Sequence, residues 1–326
     1  MLDEERRKRL QDMNFLKRWI LVAWWLLKAL VLKLTPIRRI LLVIGLVLVV
    51  FRAGYSQDGQ DVQVNFQVAG VLILLFVLAL ELKDKLVARK ELEAGHAVQE
   101  ALMPERTPHV AGWSVWLYSR SAIEVGGDLV DFLRLDENRY GTAVADVAGK
   151  GLSAALLSAK LQAMLRVFAP DFKSLAELGS KLNQVFCRVT LRNVFASLVY
   201  VELRPNSGTI RLLNAGHPPP VIVRGTSVQK LDKGGPALGI MHTAVYDEQH
   251  FELSKDDVLL VYSDGITEAR NGAGEFYGEQ RLLHGLQHPA GVSAKVIGES
   301  LIAEIDRFVG EAQAHDDLTI AVLRRE

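Results

Sequence analysis

Five aspartates stand where apolar, strand-like runs begin or end, most of them in glycine-containing motifs. Asp128 follows "EVGG", Asp146 lies in "VADVAGKG", Asp264 in "YSDG", and Asp316 and Asp317 precede the last apolar run in "HDDLT". Clustered carboxylates repel unless they are protonated or neutralised, and one or two hard divalent cations are the common stable answer. Glycine beside an acid lets the backbone bend tightly and leaves room for ion and substrate. A single Asp-Gly is ordinarily a turn. Their joint occurrence is what points to a metal centre.

These acids need elements to carry them. "WSVWLYS" from Trp113, "DLVDFLRL" from Asp128 and "YGTAVADV" from Tyr140 are short and β-rich, the last two joined by a turn-like "DENR". Helical spacing follows in "GLSAALLSAKLQAMLRVFA" from Gly151 and "SLAELGSKLNQVFCRVTL" from Ser174. Strands return in "FASLVYVELR", "TIRLLNAG", "PVIVRG" and "DDVLLVYSDG"; the helix "SAKVIGESLIAEIDRFVG" and a closing strand from Leu318 complete the chain. Adjacent strand pairs with grouped helices predict an α+β layering rather than a parallel βαβ sheet.

"EVGGDLVDF", "VADVAGKGLSAAL", "FASLVYVEL", "NAGHPPP", "ALGI", "VYSDGITEARN", "FYGEQRL" and "DDLTIAVL", in this order, resemble the metal-dependent type 2C Ser/Thr protein phosphatases. The closer likeness is to their bacterial SpoIIE-like and RsbU-like branch, and it runs from about Ala97 through Arg325. The resemblance implies two packed antiparallel sheets flanked by helices and a centre of two Mn2+ or Mg2+ ions at one sheet edge. Asp146 would bridge the ions, with the Val147 carbonyl as a further ligand. Asp264 and Asp316 would complete one ion, and Asp128 would hold the second or its waters. Asp317 is the register alternative to Asp316. The same four acids, Asp128, Asp146, Asp264 and Asp316, are the catalytic set, because an ion-activated water is the nucleophile of such a site. Ala148 departs from many eukaryotic relatives, which carry a histidine there as general acid.

Other residues have a structural and a chemical reading. His217 in "NAGHPPP" is either a loop residue or a phosphate donor, and Lys150 either a solvated turn residue or a contact for an anion. Arg120 could bind phosphate, and Glu124 could support the metal site. Cys187 is the only cysteine; it is read as a helix residue, since Asn193 occupies the arginine position that a Cys-x5-Arg phosphatase loop requires.

The first 80 residues are more apolar than the rest. "ILLVIGLVLVV" from Ile40 and "VAGVLILLFVLAL" from Val68 are flanked by Arg38, Arg39, Lys83, Lys85, Arg89 and Lys90. Basic residues at both outer ends predict a membrane hairpin with its ends in the cytoplasm. Ahead of it, "WILVAWWLLKALVLKL" with its tryptophans and lysines reads as an interfacial helix. The expected organisation is an interfacial segment over 1–36, the hairpin over 37–80, a linker helix over 81–104 that is either a coiled coil or a simple connector, and the phosphatase domain over 105–326. Localisation at the bacterial inner membrane, with the domain in the cytoplasm, follows from that layout.

The 326 residues carry a formal net charge of zero, with no nucleic-acid signature. Two classes of function remain. One is a membrane-anchored phosphatase acting on a phosphorylated cytosolic regulator of the anti-sigma-factor-antagonist type, regulated through the linker helix by lipid or a membrane partner, with a homodimer through that helix as one arrangement. The other is a phosphatase-like scaffold that binds partners without turnover. Retention of every candidate acid favours the first.

Overall fold

The computed structural model describes residues 31–50, 52–57, 60–189, 194–286 and 291–326, together with 21, 24, 25 and 28. The chain divides into two compact units, Met1–Lys90 and Glu91–Glu326. Most of the tryptophan-rich segment expected at a membrane interface lies outside the described residues.

The smaller unit holds helix α1 (Pro36–Val50), strands β1 (Arg52–Gln57) and β2 (Gln60–Asn65), and the first part of helix α2 (Gln67–Leu102). The polar stretch between the two apolar runs is an antiparallel ribbon, with Arg52 opposite Asn65 and Gln57 opposite Gln60. The helices meet where Gly70 leaves no space for a Cβ, which would lie 2.7 Å from the Gly45 carbonyl oxygen. Arg38 closes the pair with ion pairs of 2.7 Å to both Glu81 and Asp84.

The expected pair of membrane-crossing helices is not supported. Among the described residues no helix is long and apolar enough to cross a membrane. At about 1.5 Å per residue, the 15 residues of α1 reach roughly 22 Å, short of a hydrocarbon core about 30 Å thick. In α2, Glu81, Lys83 and Asp84 follow Leu80 directly and end the apolar part. The helix then continues without a break to Leu102, so the expected linker is the second half of one long helix.

In the larger unit the central strands form because their alternate residues find separate cores. One sheet has the order β10-β7-β6-β5-β4 and the other β3-β12-β11-β8-β9, with every pairing between named strands antiparallel. The first contains β4 (Leu129–Arg134), β5 (Tyr140–Val147), β6 (Ala196–Leu203), β7 (Thr209–Ala215) and β10 (Glu248–Glu252); the second contains β3 (Trp113–Arg120), β8 (Val221–Arg224), β9 (Ser227–Lys230), β11 (Val258–Tyr262) and β12 (Leu318–Arg325).

Central strand β6 is buried at every position, as expected of a strand covered on both faces. Val199, Val201 and Leu203 join Leu259, Val261, Ala321 and Leu323 in the core between the sheets. The intervening Ala196, Leu198 and Tyr200 pack instead with Leu161, Leu165 and Leu182 of helices α3 (Leu152–Phe168) and α4 (Leu175–Val189). On the far side, Leu260, Ile320 and Val322 pack with Ile297, Leu301 and Ile305 of helix α7 (Ala294–Val309). Two short helices, α5 (Asp264–Thr267) and α6 (Gly278–Gly285), lie between β11 and α7. The α+β expectation of two packed antiparallel sheets flanked by helices holds for this unit, while β9, β10 and α6 were not legible as elements.

Candidate active site and metal centre

The acids gather at one end of the two sheets. Asp146 is the penultimate residue of β5 and stands opposite Ser197 in the ladder. Asp128 directly precedes β4 and is 5% exposed, with its Oδ2 buried and unpartnered. Asp264 was expected to end a strand. The strand stops at Tyr262, and Asp264 opens the single turn α5, its carbonyl accepting the Glu268 N–H at 2.8 Å. Asp316 and Asp317 enter β12 from opposite environments, the first exposed and the second buried.

Asp317 has a structural task that the spacing did not reveal. Its Oδ1 accepts the Ala122 N–H at 2.8 Å, and its Oδ2 accepts the N–H groups of Gly127 at 2.7 Å and Asp128 at 3.3 Å. The carboxylate therefore gathers the loop that carries Asp128. Gly126 sits against it so closely that a Cβ would run into the carboxylate and lie 2.7 Å from Ser121 Oγ. Hydroxyls support the same corner: Ser263 Oγ accepts the Thr319 N–H at 3.0 Å, and Thr319 Oγ1 lies 2.8 Å from Ser119 Oγ. The Val147 carbonyl faces this loop, 2.8 Å from where a Cβ on Gly127 would stand.

Electrostatically the acids act on one another. Burial, followed by the charges of Asp264, Asp316 and Asp317, raises Asp146 to about 6. Burial and then Asp146 hold Asp128 well above the ordinary carboxylate range, while the Thr319 and Ser263 hydroxyls pull the other way. Asp264 is raised by burial and by Glu268 and Asp316. Among the described residues no three His, Cys, Asp or Glu side chains are drawn together tightly enough to hold an ion. The acids expected to hold the two ions thus face one another without closing on one point. Their chemistry fits a hard divalent cation: all donors are oxygens, burial and mutual repulsion raise the proton affinity of Asp128, Asp146 and Asp264, and a buried Asp128 oxygen lacks a partner.

The remaining candidates separate clearly. His217 is fully buried, its Nδ1 2.7 Å from Ser197 Oγ and its backbone N–H donated to Asn214 Oδ1 at 2.9 Å; this is the loop role. Arg120 reaches Asp306 on α7 at 2.6 Å. Glu124 is exposed. Lys150 pairs with Asp316 at 3.2 Å. Cys187 sits on α4 with its Sγ 3.5 Å from Asn183 Oδ1, as expected of a helix residue. Gln99 went unnoticed in the sequence, where a glutamine in a polar helix carries no signal. Its side-chain amide donates to the Gly126 carbonyl at 2.9 Å and accepts the Gly126 N–H at 3.1 Å.

Two face-to-face antiparallel sheets with outer helices and a carboxylate cluster at one end define a type 2C phosphatase fold. The SiaA-PP2C domain of Pseudomonas aeruginosa has the same fold, with a TM-score of 0.63 at 18% identity over 74% of this chain and 99% of that one. The chain belongs to the SpoIIE family, in its RsbU-like branch: the family model described as Stage II sporulation protein E (SpoIIE) matches residues 136–326. It is 30% identical to phosphoserine phosphatase RsbU of Bacillus subtilis over 73% of this chain and 71% of that protein. It is also 30% identical to protein IcfG of Synechocystis, covering 76% of this chain and 43% of IcfG. The chain therefore spans less than half of that longer relative.

Proposed function

We propose that this protein is a metal-dependent protein serine/threonine phosphatase that hydrolyses phosphoserine or phosphothreonine on a cytosolic regulator. The observation that carries the reading is the meeting of Asp128, Asp146, Asp264 and Asp316 at one sheet end, with a buried Asp128 oxygen left unpartnered. The name of RsbU supports the same reaction. Asp146, Asp264, Asp316 and the Val147 carbonyl would hold one or two Mn2+ or Mg2+ ions, with Asp128 on the second. When bound, such cations lower the pKa of a water and offset phosphoryl charge. Both Asp317 oxygens are already engaged by backbone N–H groups, which favours Asp316 as the ligand.

The protein's own groups set the rest. Asp317 and Gln99 orient the Asp128 loop, and the sheets exclude water from beneath it. Water oxygen forms the new bond to phosphorus as the bond to the serine or threonine oxygen breaks. Ala148 supplies no general acid, so the leaving oxygen takes its proton from water or from another group.

The substrate class that fits the resemblance is a small regulator of the anti-sigma-factor-antagonist type. Tethering to the bacterial inner membrane, with the catalytic unit in the cytoplasm, is supported by the exposed Ile40, Val43, Val47, Leu75, Phe76 and Leu78 beside Lys83, Lys85 and Arg89. The second half of α2 is then the regulatory route, alone or paired with a second copy. Manganese-dependent phosphate release from a phosphoserine protein by the full chain tests the reaction; loss in Asp264→Asn and with chelator is expected. No release in lipid vesicles, with intact binding of partners, would favour the scaffold reading.

A further inference from the structure

The loop after β5 places one basic side chain among the acids. Gly149 and Gly151 flank Lys150 with φ of +124° and +73°, a backbone that L side chains rarely adopt. The turn thus presents Lys150 alone. Its Nζ lies 3.2 Å from Asp316 Oδ2 and donates to the His315 carbonyl at 2.5 Å. Both partners face solvent, at 58% and 45% side-chain exposure, so the pair is weak and exchangeable. Among the described residues no other basic side chain forms an ion pair with any of the five aspartates. Lys150 also opposes the repulsion that the other acids exert on Asp146.

We propose that Lys150 is a displaceable counter-ion, holding Asp316 until a divalent cation takes that carboxylate and then presenting its freed ammonium to the substrate phosphate. This rests on the phosphatase reading. A divalent ion at Asp316 repels an ammonium 3.2 Å away, and the long lysine stem lets Nζ move without disturbing the backbone. A phosphomonoester brings close to two negative charges to the same place. The ammonium therefore exchanges one anion for another.

The test uses the full-length protein, with Mn2+ binding followed by calorimetry before any turnover assay. Lys150→Met is expected to bind Mn2+ about two- to fivefold more tightly, because an exposed competing pair is lost. Lys150→Arg, which keeps the charge, should match the wild type. At saturating Mn2+, Lys150→Met should raise KM for a phosphoserine protein roughly tenfold with little change in kcat, the loss of one charge-assisted contact. Wild-type protein that binds Mn2+ and releases phosphate, beside a Lys150→Met variant with unchanged or weaker Mn2+ affinity, overturns the counter-ion role alone. An unchanged KM overturns the phosphate contact. Wild-type protein that neither binds Mn2+ nor releases phosphate overturns the phosphatase reading and this inference with it.

Discussion

The Asp317 carboxylate accepts the Gly127 backbone N–H at 2.7 Å, so the residue just before the last strand holds the loop that delivers Asp128. Two adjacent acids thereby divide their work. Asp317 is a buried loop anchor, and its neighbour Asp316 faces the solvent-accessible cluster.

Substitution should separate them. Asp317→Asn replaces an acceptor with an N–H donor opposite backbone donors, and a destabilisation of about 1–3 kcal/mol is expected from the buried groups left unpaired. Asp316→Asn should leave the melting temperature near the wild-type value and abolish Mn2+-dependent phosphate release. Thermal unfolding of both variants, beside calorimetric Mn2+ titration, checks the division. Equal melting temperatures would refute it.

Gly126→Ala tests the closeness of the same corner. The added methyl meets the Asp317 carboxylate and Ser121 Oγ, and overpacking of this kind costs about 1–3 kcal/mol. Urea unfolding should show a lower midpoint with an unchanged slope. Phosphate release should fall with it, since the Asp128 loop must move.

Gln99 pairs with both backbone groups of Gly126, from the part of α2 that belongs to the catalytic unit. Gln99→Leu keeps the helix and most of the side-chain volume but loses two hydrogen bonds. A drop in kcat/KM of roughly tenfold is expected, with faster hydrogen exchange confined to residues 121–128. Unchanged exchange in that loop would remove Gln99 from any part in positioning Asp128.

His217 carries a pH dependence of stability. Burial pushes its imidazole down to about 3; a hydrogen bond with the Tyr262 backbone opposes the shift, and Lys233 adds a smaller push in the downward direction. The folded pKa lies below the unfolded value of about 6.5, so the unfolded chain binds the extra proton. This contribution is fully present above pH 6.5 and is lost as pH falls toward 3. Between pH 6.5 and 4 the wild type should lose up to about 3 kcal/mol that a His217→Gln variant retains. Denaturant melts of the two proteins across this range measure the difference, and parallel curves would disprove it.

Much of the catalytic unit was legible in its runs. "ASLVYVEL" is apolar at nearly every position because β6 is covered on both faces. The "VADV" and "YSDG" acids stood out because charge at the end of such a run is costly without a purpose. Short elements were hidden. β10 is only partly buried and polar in sequence, and α6 owes its place to packing under β11 and α7, a long-range contact with no local periodicity. The smaller unit differs for another reason: hydropathy counts apolar residues, whereas crossing a membrane requires a helix that is apolar over a sufficient length, and none of the described helices is both long and apolar enough.

Residue type and local spacing thus settled the layering of the larger unit and the family, and singled out the acids as candidates, because period-two burial and charge beside glycine are written within a few residues. Only the tertiary structure decided which acid points where. Asp316 and Asp317 are neighbours in the chain with the same side chain, and their difference arises from partners far away in sequence, 195 and 190 residues off at Ala122 and Gly127 for one and at Lys150 for the other. Hydrogen-bond partners across such distances are set by how the sheets close on each other, which no local pattern encodes.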